Sequence, residues 1–313
     1  MGRLYLHVGQ DKTGSSFIQS FLAKNHNLLA EKGFYYPVNQ KIETASVGKI
    51  SSGNESLYNL NFFQRLHQLY DPSKNLFFSG ERFFRRMPTG ELDAATDFLM
   101  SEFGINSIDC LLFIRNPLEH MQSAYQQAVK RGGYTDSIEN FSKSYRHTKR
   151  VYEFVKYCAD SEIINLKIIN YSSRKKQLLD EVLSWLGVSN EGFHYLNKTI
   201  NRSLTRAELE FQKLLNEKLG KAAGFLSDAF CQKLPEIRSE SVLISERARN
   251  NALNNVEKYC LDINAMSEQL NNGSDTYDLQ QQVLTQESDS FAFTPAQMKV
   301  IVDEMFENLI PSD

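Results

Sequence analysis

Groups suited to holding an anion gather near the start of the chain. Gly9 and Gly14 bracket four residues, with Lys12 among them and hydroxyls at Thr13, Ser15 and Ser16. A lysine supplies a point charge, and a glycine lets the backbone approach a phosphate closely. Arg3 to Val8 has strand character, and Phe17, Ile18, Phe21 and Leu22 then recur at helical spacing. A helix that starts at this loop points its unpaired N–H groups and the positive end of its dipole back into it. The chemistry expected of this strand-loop-helix is therefore capture of a phosphate-like anion.

The spacing of Gly9 and Gly14 matches the front of a Walker A loop, which then requires Lys followed by Ser or Thr. Here Gly14 is followed by Ser15 and Ser16, and the lysine precedes it. A nucleotide triphosphatase also needs a strand ending in Asp for magnesium, whereas the next apolar runs end as FFSGE (77–81) and LLFIR (111–115). HVGQDKTGSSFIQ instead resembles the 5′-phosphosulfate loop of the sulfotransferases that use 3′-phosphoadenosine 5′-phosphosulfate (PAPS), written P-K-[ST]-G-[ST]-[ST]. LLFIRNPLEHMQSAY (111–125) resembles their 3′-phosphate site, with Arg115 closing a strand, Ser123 eight residues later, and Tyr125 following. NRSLTRAELE (201–210) and ISERARNNALNNVEKY (244–259) resemble the C-terminal part of the bacterial members, so the resemblance covers residues 3 to 270.

The resemblance implies transfer of a sulfuryl group from PAPS to a hydroxyl or amine of an acceptor, with 3′-phosphoadenosine 5′-phosphate (PAP) as product and no metal required. It places Lys12 at the bridging oxygen and the 5′-phosphate, with Thr13, Gly14, Ser15 and Ser16 around that phosphate. It places Arg115 and Ser123 on the 3′-phosphate. Glu81, at the end of a strand, is the matching position for a base that takes the acceptor's proton; the alternative is a first-turn carboxylate favoured by the dipole of the following helix. The alternatives for Arg115 and Lys12 are a salt bridge at the strand end and an exposed loop lysine. Asp11 stands where the family has proline, and an acid beside an anion site either turns outward or weakens the site. Arg202 is a further candidate neighbour of the nucleotide. The acceptor, a small molecule or a glycan, is not fixed by the sequence. Two other readings are a phosphoryl transferase using ATP and magnesium, and a nucleotide-binding module without turnover.

Several groups are expected to be structural. His7 falls inside the first strand as a core histidine, Tyr125 packs, and His120 lies on a solvated helix face. Arg82, Arg85 and Arg86 form a charged helix face, or else draw an anionic acceptor toward the cleft.

Alternating elements must position these residues. After a helix over 15–30, GFYYP (33–37) reads as a strand and 38–53 as a long loop. Leu57, Leu60, Phe63, Leu66 and Leu69 mark a helix, 75–81 a strand, 91–100 a helix, and 107–115 a strand apolar on both faces. A helix from Pro117 to Lys130, a helix around Val151 to Cys158, a strand over 164–171 and a helix over 178–186 follow. The fold class is α/β: a parallel sheet of about five strands flanked by helices, as in P-loop NTPase-like folds, with an all-helical part beyond Phe193. Thr205 and Glu208 form a capping box, and Val256 to Leu270 a long amphipathic helix. Residues 1–270 are expected to form the sulfotransferase domain, and 271–313 a polar linker and a final helix. Thr294 caps that helix, Pro295 opens it, and Met298, Ile301, Val302, Met305, Phe306 and Leu309 form its apolar face. That face docks on its own domain or pairs with a second copy as a homodimer.

Composition agrees with a globular chain: 313 residues, 41% hydrophobic and 12% aromatic, can bury one sizeable core. A net charge of -3 argues against a nucleic-acid partner, and no apolar run approaches the ~18 residues of a transmembrane segment. A first strand at residue 3 leaves no room for a signal peptide and Leu6 spoils a myristoylation match, so the expected compartment is cytoplasmic. Cys110, Cys158, Cys231 and Cys260 are scattered and read as free buried thiols.

Overall fold

The strands expected from the apolar runs form one sheet in a computed structural model, which describes residues 2–39, 53–67, 70–195, 202–237, 242–270, 272–280 and 292–309. Strands β1 (Leu4–His7), β2 (Phe34–Tyr35), β3 (Asn75–Ser79), β4 (Ile108–Ile114) and β5 (Ile164–Asn170) are all parallel, in the order β2-β3-β1-β4-β5. Leu4 pairs with Leu76 on one side and with Ile108 on the other. The continuous apolar runs follow from this position: Leu4 and Leu6 in β1, Phe77 and Phe78 in β3, and Cys110 to Ile114 in β4 are fully buried because helices cover both faces of a parallel sheet. On one face Phe77, Leu111 and Phe113 meet Ile18, Phe21 and Leu22 of the helix Ser15–Lys24 and Leu179, Val182 and Leu183 of the helix Leu178–Leu186.

Contacts divide the chain into two units. The first comprises Met1–Asn116, His147–Lys198 and Glu257–Leu279 and contains the sheet; the second comprises Pro117–Arg146, Thr199–Val256 and Gln280–Asp313. In the second, helices Pro117–Gly132, Arg206–Leu219 and Gly224–Lys233 enclose a core of Tyr125, Val129, Leu209, Leu226 and Phe230. The capping box of Thr205 and Glu208 forms as expected. Among the described residues no helix is long and apolar enough to cross a membrane.

Three expectations change. The first helix is not continuous to residue 30: it breaks at Asn25 into Ser15–Lys24 and His26–Glu31. Asn25 is buried, and its amide is committed to the carbonyls of Phe21 and His194 and to the His194 N–H, which competes with helical continuation. The last helix, Pro295–Leu309, packs on Gly224–Lys233, but Met298, Val302 and Phe306 are 57, 53 and 63% exposed while Gln297, Val300 and Glu304 are buried. Polar anchors set this rotation: Gln297 donates to Glu208 at 2.7 Å and Glu304 pairs with Lys233 at 2.6 Å. His120 is buried rather than solvated, with Nδ1 2.9 Å from the Tyr145 hydroxyl, because nearly every residue of the first turns of Pro117–Gly132 faces protein. Most of the loop 38–53 and of the linker 271–290 lies outside the described residues, as does Leu69.

Candidate functional site

The topology creates a crevice where the anion-binding loop was expected. β1 and β4 are neighbours, yet the chain leaves them toward opposite edges of the sheet, to β2 from one and to β5 from the other. The connections that leave the carboxyl ends of such strands part to opposite sides and leave room for a ligand outside those ends. Beyond His7 the chain still pairs with β4, through Val8 N–H to Leu111 O and Gln10 N–H to Phe113 O, and then turns.

That turn is held in an unusual backbone. Lys12 has φ of 66°, the one positive value for a non-glycine among the described residues, and such positions cluster at functional loops. The Thr13 hydroxyl donates to the Gln10 carbonyl and closes the loop on itself. Gly14 has φ of 81°, and a Cβ there would lie 2.7 Å from Leu178 Cδ2 and 3.3 Å from Tyr171 Cε2, so both conformation and space require glycine. The helix Ser15–Lys24 has no side-chain N-cap and no acid in its first turn, which leaves its positive end facing the loop.

Arg115, at the end of β4, is tied to this loop twice. Its N–H donates to Gln10 Oε1 at 3.0 Å, and its guanidinium donates to the Lys12 carbonyl at 2.8 Å while lying 5.3 Å from the Tyr171 ring centroid. Gln10 and Tyr171 were not anticipated from the sequence, because neither carries a charge or a motif; only the fold puts them between the two blocks. Asp11 is half-buried with a carboxylate oxygen 3.1 Å from His147 Nε2, so it turns toward a partner rather than toward open solvent.

Glu81 follows β3 by two residues and precedes the helical turn Phe83–Arg86, so it does not occupy that turn. Its pKa is raised, first by burial and then by the charge of Asp11; Lys12 and a hydrogen bond with the Ser15 hydroxyl oppose the rise, and Glu55 adds to it. Lys12, Ser15, Asp11 and Glu81 thus share one electrostatic neighbourhood. Glu55 itself had no sequence signal. It is buried against Gly80, where a Cβ would approach its own Cβ to 2.4 Å, and its carboxylate accepts the Arg82 N–H at 3.0 Å and lies 3.6 Å from Arg86.

Other predicted residues fall elsewhere. Lys12, Thr13, Gly14, Ser15, Ser16, Glu81 and Arg115 all belong to the first unit, whereas Ser123 lies half-buried on Pro117–Gly132 in the second. His7 is a core residue: its Nδ1 is 2.7 Å from the Ser79 hydroxyl, and burial lowers its pKa to about 3, so it is neutral. Tyr125 packs edge-on against Tyr134 and Phe141 and donates to the Asp136 carbonyl. Arg202 is committed to the interior of the second unit. Its side chain is 1% exposed and its fork is spent on Glu208, at 2.8 and 2.7 Å, and on the Leu234 carbonyl at 2.8 Å. Comparison with protein-family models finds no matching family, and comparison with curated proteins finds no match.

Proposed function

We propose that this chain is a sulfotransferase that moves the sulfuryl group of PAPS to an acceptor hydroxyl or amine and leaves PAP. The observation that carries the reading is the 2.8 Å hydrogen bond from the Arg115 guanidinium to the Lys12 carbonyl, which joins two blocks 103 residues apart in sequence. Those are the blocks that resemble the family's 3′- and 5′-phosphate sites. The donor set suits the group: a lysine and three hydroxyl residues at an uncapped helix start, with an arginine beside them.

In this reading Lys12, Thr13, Gly14, Ser15 and Ser16 hold the 5′-phosphosulfate, and Arg115 the 3′-phosphate. Glu81 takes the proton of the acceptor as its oxygen bonds to sulfur, and Lys12 offsets the charge left on the phosphate oxygen from which sulfur departs. Burial and Asp11 raise the pKa of Glu81 and make it a stronger base than an exposed glutamate. His147 gives Asp11 a partner other than the loop lysine, which limits the cost of an acid where the family it resembles has proline.

The test is thermal unfolding with nucleotides. PAP without magnesium should stabilise the protein, by about 2.7 kcal/mol at a hundred times its Kd, and ATP with magnesium should do less. Stronger, metal-dependent stabilisation by ATP would replace this reading with phosphoryl transfer.

A further inference from the structure

A groove of about 700 Å³ runs between the turns Phe83–Thr89 and the helix His147–Ala159. That volume is in the range of sites for small organic ligands. Its lining includes three cations, Arg85, Arg150 and Lys156, and three rings, Phe84, Tyr152 and Tyr157. The nearby acids are largely taken by other cations: Arg86 holds Glu55 and Glu91, and Lys149 lies 3.8 Å from Glu153. Arg85, Arg150 and Lys156 have no carboxylate within ion-pair distance among the described residues. Asp160 is the one lining acid without such a partner.

Two side-chain contacts lead from one wall of the groove to the loop that carries Lys12. Phe84 packs on the His147 ring at 5.6 Å, and His147 reaches Asp11, the neighbour of Lys12. Phe84 is also three residues beyond Glu81.

The geometry points to this groove as the seat of an anionic saccharide acceptor, an inference that rests on the sulfotransferase reading and names its substrate class. Carboxylate or sulfate substituents pair with Arg85, Arg150 and Lys156. Sugar rings lie on the half-buried Tyr152 and Tyr157, and Asp160 accepts a sugar hydroxyl. A purely phosphate-rich chain would meet Asp160 as a repulsion, whereas a sugar offers hydroxyls to Asp160 and anionic groups to the three cations.

The experiment titrates a fluorescently labelled, sulfated uronic-acid hexasaccharide into the wild-type chain and into the Arg150→Ala/Lys156→Ala variant, with PAP titrated in parallel. Both side chains are exposed, so the variant keeps the fold. Binding of the hexasaccharide should weaken with salt and be roughly tenfold weaker in the variant, while PAP binds both proteins equally. A desulfated, carboxyl-reduced hexasaccharide should not bind. Equal hexasaccharide binding by the two proteins, or none by the wild type, overturns the assignment of the groove. Failure of PAP to bind the wild type overturns the donor reading instead, and the two failures are therefore distinct.

Discussion

Truncating Glu208 to alanine should be among the most damaging single changes in the second unit. The Glu208 carboxylate is fully buried and accepts four hydrogen bonds: two from Arg202 at 2.8 and 2.7 Å, one from Gln297 at 2.7 Å and one from the Thr205 amide at 2.9 Å. Its removal strands a guanidinium that is 1% exposed and dismantles the capping box of Arg206–Leu219. Breaking a buried pair in this way costs about 3–5 kcal/mol, since the lost partner leaves a desolvated charge. Hydrogen exchange of the Arg206–Leu219 amides, which reports the free energy of local opening, measures it directly. Replacing both members, as Arg202→Leu/Glu208→Leu, should cost less than Glu208→Ala alone, because no charge is then stranded. Burial pushes the Glu208 pKa up, but the hydrogen bonds from Arg202, Gln297 and Thr205 outweigh it and hold the carboxyl below its usual value. The stabilisation is therefore full above the usual glutamate pKa and is lost as pH falls through the lower folded value. A cost below about 1 kcal/mol, the range of exposed pairs, would refute the placement of Arg202 and return it to the candidates for ligand binding.

Glu81→Gln should lower turnover by roughly 10²–10⁴-fold while PAP affinity, read by calorimetry, stays level; near-normal turnover would make the carboxylate structural. Asp11→Asn removes a negative charge that raises the Glu81 pKa, so the acid limb of the pH–rate profile should move to lower pH, and a limb that stays or rises contradicts the assignment. Gly14→Ala forces an L residue into a left-handed conformation, at about 1–2 kcal/mol, and against Leu178; urea unfolding should show that loss and a PAP titration weaker binding, with unchanged values counting against the loop geometry.

The parallel sheet was legible because its strands are buried on both faces: SIDCLLFIR has no polar period and needs none in the centre of a sheet covered by helices. The loop was legible for a related reason, since Gly9, Gly14 and the start of an apolar helix constrain the backbone locally. Those features depend on neighbours in sequence. The rest depends on residues brought together from afar. Gln10 and Tyr171 between the loop and Arg115, Asp11 against His147, and Glu55 beneath Gly80 have no local signature, because a hydrogen bond or a buried ion pair is decided by which strand ends lie side by side. Arg202 makes the same point in reverse: a family-like stretch suggested a ligand, and a carboxylate six residues away in a desolvated core claims its charge. The final helix shows how far pattern carries: its caps at Thr294 and Pro295 were readable, but its rotation was not, since Gln297 and Glu304 found partners stronger than the burial of Met298, Val302 and Phe306.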